Sequence, residues 1–163
     1  MSGNERKDFI TDVLTLALSY SPEKEYKLKF YNADVPKVRV FRIIEKNAGI
    51  DIIAAGATTN REKRLLPVRF PIYKGLFGWR IPLVNGSNKQ LFSEPLNTTQ
   101  FKTLVAGQLF SWSDTKILES NGIQVEKGSD YEGLFHMLEK ERFDYFPRSV
   151  LEVAEEFKKH SHL

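Results

Sequence analysis

Cysteine is absent from all 163 residues, which removes disulfide staples, thiolate metal ligands and cysteine nucleophiles together. Histidine is nearly absent: His136 falls within a helical pattern, while His160 and His162 lie in a polar tail. No His, Asp and Glu set has metal-ligand spacing, no serine sits in an elbow motif, and the phosphate-loop lysine pattern is missing. The expectation is therefore a non-enzymatic protein without a cofactor. No stretch approaches about 18 uninterrupted apolar residues, so no membrane span is expected. The net charge of +3 is spread among interleaved acids and bases. A nucleic-acid face needs concentrated basic residues, so no nucleic-acid partner is expected. The opening "MSGNERKDF" has no charged stretch leading into an apolar core, and no signal peptide is expected from it.

What the chain does have is apolar content, 41% of residues, with twelve Phe, six Tyr and two Trp, enough for a packed core. Residues 5–20 carry apolar side chains at helical spacing, and "YKLKFYN" (26–32) alternates as a strand. "VPKVRVFRIIEKNAG" (35–49) reads as a helix opened by Pro36 and closed by Gly49. "IDIIAAG" (50–56) is a continuous apolar run of the kind that forms a buried parallel strand. Pro71 and Pro82 keep the extended pieces around them out of central strand positions. "NGSNKQLFSEPLNTT" (85–99) is polar and turn-rich, the expected hinge. Beyond it the alternation resumes: strand "LVAGQLF", helix "WSDTKILESNG", strand "IQVEKG", helix "DYEGLFHMLEKE", strand "RFDYFP" and helix "SVLEVAEEFKKH". Such alternation predicts an α/β fold. The expected organisation is a first α/β lobe at 1–80, a crossover or hinge at 81–100 and a second α/β lobe at 101–163.

Three loops follow strands and carry the candidate binding groups. "GATTNREKR" (56–64) offers Thr58, Thr59 and Arg61, as an anion site or, more plainly, as the cap of a surface helix. "GQLFSWSDTKILESNG" (107–122) offers Gly107, Ser111 and Trp112; Ser111 or Ser113 would cap the helix, and the indole is left over for a ligand. "RFDYFPRSV" (142–150) places Phe146 and Arg148 at a strand's carboxyl end, where open α/β sheets bind ligands. Arg148 is there either an anion clamp or one half of an internal ion pair with Asp144 or Glu152. A polar, aromatic-walled cleft with two arginines suits a small anionic solute.

"GATTNREKRLLPVRFPIYKGLFGWR" resembles the strand, "T-T-x-x-R-E" loop and "F-x-x-P-Y" segment of extracellular solute-binding proteins of the amino-acid type, family 3. "GIQVEKGSDYEGLFHMLEKERFDYFPRSVLE" is similar to the second lobe of an ABC-transporter substrate-binding-like subgroup. The resemblance covers most of residues 9–157. It implies a periplasmic-binding-protein type II fold, with two α/β lobes closing on an amino-acid-like or organic-acid solute, in the periplasm or outside the cell. By position, Thr58 and Arg61 correspond to the first-lobe threonine and carboxylate-binding arginine, with Arg64 a substitute for Arg61. Tyr73 answers to the tyrosine of the "F-x-x-P-Y" segment. Gly107 through Trp112 correspond to a loop offering backbone N–H groups to the carboxylate. Arg148 or Ser149 falls where amino-acid binders keep an aspartate for the α-amine, which favours a more anionic or amine-free solute. Against the family's extent the first strand and roughly the last third are expected to be missing. The implied partners are the solute and a membrane transporter; the alternative is a ligand-sensing input domain in a signalling chain. Lacking its first strand, the first lobe should leave "IDIIAAG" with an apolar edge, to be met by a homodimer, a swapped strand or partial disorder.

Overall fold

Helical spacing in the amino-terminal stretch produces α1 (Gly3–Ser19), in a computed structural model that describes residues 3–31 and 35–161. Pro36 then precedes α2 (Lys37–Glu45), consistent with a residue whose φ is already helical. Asn47, rather than Gly49, turns the chain out of α2. It adopts φ 49° while its N–H donates to the Ile44 carbonyl and that of Ala48 to Ile43. This is a Schellman ending, and asparagine tolerates the left-handed conformation it requires. Thr58 caps α3 (Thr59–Glu62), its hydroxyl accepting the Arg61 N–H at 3.3 Å.

Here the expectation of a first α/β lobe needs correcting. The compact unit that ends at Ile72 contains no strand among its described residues. Residue 32 of the expected strand 26–32 lies outside the described residues, and the rest enters no sheet. The run 50–56 forms no strand either, and Ile52 is 53% exposed. Alternation and apolarity license an extended conformation, but a strand exists only where a second strand takes its N–H and C=O groups. Among the described residues of this unit, Phe41 is the one apolar side chain that is buried, at 9% exposure.

The second unit, from Tyr73 onward, is the mixed α/β part of the chain. It contains β1 (Arg80–Leu83), α4 (Thr98–Thr103), β2 (Val105–Leu109), α5 (Ser113–Ser120), β3 (Gln124–Gly128), α6 (Tyr131–Glu139), β4 (Phe146–Ser149) and α7 (Val153–Lys159). Residues 81–100, expected as a crossover, thus lie inside this unit: β1 pairs antiparallel with β4. β2 pairs parallel with β3 and meets the β4 segment at a single parallel bridge, Ala106 to Tyr145. The strands thus form two two-stranded sheets, and the bridge sets them side by side in the order β3-β2-β4-β1.

Pro147 explains why β2 and β4 meet at so little length. Pro82 and Pro147 face each other across β1 and β4, and the hydrogen bond from Val150 N–H to the Trp79 carbonyl makes theirs a non-hydrogen-bonded pair. Neither missing N–H costs that ladder a bond. On its other side Pro147 does cost one. The β2–β4 contact runs through Tyr145 N–H to the Val105 carbonyl and Gly107 N–H to the Tyr145 carbonyl. The next donor would be residue 147, and proline has none.

Alternation along β4 sends Phe146 and Arg148 to one face and Tyr145 and Pro147 to the other. On the first face Phe146 packs with Leu134, Phe135 and Leu138 of α6 and with Phe143, and Leu83, Val105 and Leu109 close around them. The α6 register follows from its apolar spacing and from Asp130, which accepts the Gly133 N–H and so fixes the helix start. Among the described residues no helix is long and apolar enough to cross a membrane.

Candidate functional site

The sheet order creates one topological switch. From β2 the chain leaves to β3 on one side and returns to β4 on the other, so the carboxyl ends of β2 and β4 flank the position where such sheets hold ligands. The residues there are Phe110, Ser111 and Trp112 after β2, and Arg148 and Ser149 at the end of β4.

Arg148 is 7% exposed, and its guanidinium is held from three sides. Nε donates to Glu156 Oε2 at 2.8 Å and Nη2 to Glu156 Oε1 at 2.6 Å, a bidentate pair. Nη2 also donates to Glu152 Oε2 at 3.1 Å. Tyr131 Oη donates to Glu156 Oε1 at 2.7 Å, so that oxygen serves two donors. The ring centres of Trp112 and Phe146 lie 4.9 Å from the guanidinium carbon and that of Tyr131 lies 5.5 Å away, an aromatic box around a cation. Trp112 stacks on Phe146 at 6.1 Å and 11°. Burial works to lower the Arg148 pKa, but the bonds and charges of Glu156 and Glu152 outweigh it and raise it. Burial, then the bond to Glu156, pushes the Tyr131 phenol up as well. Both groups keep their protons throughout the physiological range.

This is the internal-pair alternative for Arg148, with Glu152 as foreseen and Glu156 in addition. Asp144, the other expected partner, accepts the Val105 N–H at 2.6 Å at the start of β2. The pairing is local: the chain turns after Ser149, whose hydroxyl accepts the Leu151 N–H, and α7 then brings Glu156 back one turn beyond Glu152. Spacing gave a usable signal for Glu156. Two acids four residues apart on the final helix share a face, so a base that meets one can meet both. Nothing in the spacing pointed to Tyr131.

The structure gathers Trp112, Phe146 and Arg148 into one cluster, but with altered roles. Phe146 is fully buried and belongs to the core, so it cannot touch a solute. Gly107 is a packing residue: a Cβ there would lie 2.2 Å from the Phe143 ring, and its N–H is spent on Tyr145. Phe110 and Trp112 also spend their N–H groups, on Gly128 and Leu109. The expected row of free backbone donors is therefore largely occupied. Ser111 is exposed and does not cap α5; Trp112 holds the cap position without a side-chain bond. Tyr73 stacks on Phe77 at 5.8 Å.

In the first unit Thr58 is a helix cap and Thr59 is exposed. Arg61 donates to the Gly56 carbonyl at 2.7 Å and lies 4.5 Å over the Phe41 ring, an internal tie rather than an open clamp. Arg64, its expected substitute, is paired with Glu45. His136 is exposed beside Glu139, His160 stacks on Phe135, and His162 lies outside the described residues.

Chemically, the cluster holds one cation against two carboxylates. Glu152 is its more exposed acid, with 16% of the side chain accessible. The Arg148 Nη1 nitrogen makes no hydrogen bond among the described residues, so a donor edge remains beside the indole of Trp112. In comparisons with known proteins, no family model matches the chain, and no curated protein or solved structure matches it.

Proposed function

We propose that the protein is a non-enzymatic binding domain for a small amino-acid-like solute, held at the carboxyl ends of β2 and β4. One observation carries the reading: at the sheet's switch point an arginine with an open nitrogen stands beside two carboxylates and an indole. A solute oxygen can take the Nη1 donors. The carboxylates of Glu152 and Glu156 beside the arginine disfavour a plain anion and favour a solute that also bears an amine. A zwitterion satisfies both demands, and Trp112 offers its side chain an apolar wall.

In this reading the second unit is a lobe of a periplasmic-binding-protein type II arrangement. Strand order and switch point support it, while the first unit contributes no sheet. The same reading places the protein outside the cytoplasm, serving a membrane transporter or a sensor chain.

Calorimetric titration with a panel of L-amino acids and their amine-free 2-hydroxy counterparts tests it. The expected result is saturable binding of at least one amino acid, at least tenfold weaker binding of its 2-hydroxy analogue, and loss of that preference in Glu152→Gln. Binding of 2-hydroxy acids alone, or of nothing in the panel, overturns it.

A further inference from the structure

The other face of the sheet carries a cavity, independent of the strand-end cluster. A groove of about 510 Å³ lies against it, walled by Phe92, Leu96, Phe101, Leu118 and Pro147, with Tyr145 at the floor. Small-molecule sites occupy roughly 300–1,000 Å³ and are mostly apolar with few polar points. The polar point here is unusual. Tyr145 is 2% exposed, and its hydroxyl has no hydrogen-bond partner among the described residues. Gln108, on the same sheet face, leaves its Oε1 without a partner too. A buried polar group left unpaired costs stability, so a native chain that keeps one calls for an explanation.

The segment over the groove supplies it. Residues 89–96 form a strap anchored at both ends. Asn85 donates to the Glu139 carbonyl at 3.1 Å and Ser87 bonds to Glu141 before the strap, and the reciprocal Asn97–Gln100 capping box follows it. Between the anchors, among the described residues, its hydrogen bonds reach no farther than three residues: Leu91 to Asn88 and Ser93 to Gln90. What joins its middle to the sheet is apolar contact, above all the Phe92 ring set edge-on to Tyr145 at 5.7 Å and 79°. Phe101 flanks the tyrosine on α4 at 5.4 Å.

We propose that this strap opens over a binding site for a flat, neutral, mainly apolar molecule bearing a carbonyl, which replaces Phe92 against Tyr145 and accepts its hydroxyl hydrogen bond. Aromatic and proline rings on the walls select flatness. Neutrality follows from the rim: Arg80 is committed to Asp114 and to the Phe77 carbonyl, and Glu94 adds a negative charge, so a carboxylate finds no open cation. The tyrosine remains a donor, because burial and then the charge of Asp144 push its pKa up to about 12.

The probe is prodan, a neutral naphthyl ketone whose emission reports both polarity and hydrogen bonding at its carbonyl. The wild-type protein should bind it saturably at one site with a blue shift. Tyr145→Phe should weaken binding about tenfold, the value of one hydrogen bond, while melting no lower than wild type, since an unpartnered hydroxyl is removed. Phe92→Ala should tighten binding by vacating the place the ligand takes. Leu118→Trp should abolish it by filling the groove. Absence of saturable binding, equal binding to Tyr145→Phe, or a lowered melting temperature in Tyr145→Phe each overturns the proposal; so does weaker binding in Phe92→Ala.

Discussion

Replacing Glu156 with glutamine isolates the energy of the Arg148 cluster. The side chain keeps its shape but loses its charge, and its amide nitrogen must face either Arg148 Nε or the shared Nη2–Tyr131 side. Arg148 loses at least one of its two bonds to that residue, 2.8 and 2.6 Å in the native pair, and faces Glu152 alone. At 7% exposure the guanidinium cannot recover those bonds from water. Breaking a buried pair by disabling one partner costs about 3–5 kcal/mol. For a chain of this size each kcal/mol lowers the melting temperature by about 2–4 °C, so a loss of about 6–20 °C is expected. The double variant Arg148→Met/Glu156→Leu should recover part of that loss, because the buried pair is then removed together, while Glu152 and the Tyr131 hydroxyl still lose their partners. Paired urea and thermal melts of the single and double variants provide the measurement. A Glu156→Gln cost below about 1 kcal/mol, the range of exposed pairs, would refute the picture of a desolvated knot.

Two further perturbations test other parts of the fold. Gly107→Ala drives a methyl to within 2.2 Å of the Phe143 ring, so overpacking of about 1–3 kcal/mol is expected in a urea melt, with Phe143→Leu restoring part of it. Stability should also fall in alkali. The folded Tyr145 pKa of about 12 lies above the ordinary 10.0, so between those values the unfolded chain loses a proton that the folded chain keeps. That drains up to about 2.7 kcal/mol as pH rises through the window, and Tyr145→Phe should lack this component; identical pH profiles for the two proteins would count against it.

The sequence made local structure legible and long-range pairing far less so. The helices near 5–20, 35–49, 113–122 and 130–141 were readable because their apolar spacing and stop residues lie within one element. Arg148 and Glu152 were readable as partners because only four residues separate them. Tyr131 was not, since it joins Glu156 from 25 residues away. The runs 26–32 and 50–56 have strand composition but no paired neighbour, and composition cannot say whether one exists. The polar stretch 85–99 looked like a hinge for the same reason. Its turn residues were visible, while the Phe92 contact with Tyr145, which ties it to the sheet, was not. Gly107 was assigned to a ligand when its missing side chain serves a phenylalanine ring 36 residues later.

Pro147 has a mechanical consequence. β3 with β2, and β4 with β1, are two ribbons stiffened by their own ladders and sewn together at one bridge. Beyond Tyr145 the seam lacks the donor that residue 147 would otherwise supply, so the two ribbons are held together less densely at that end than along their own ladders. The sheet is rigid along each ribbon and compliant across the seam, and the compliant end is the one that carries Trp112 and Arg148. A molecule wedged there would meet less backbone resistance than within either ribbon, leaving the gap freer to adjust its width to what it holds.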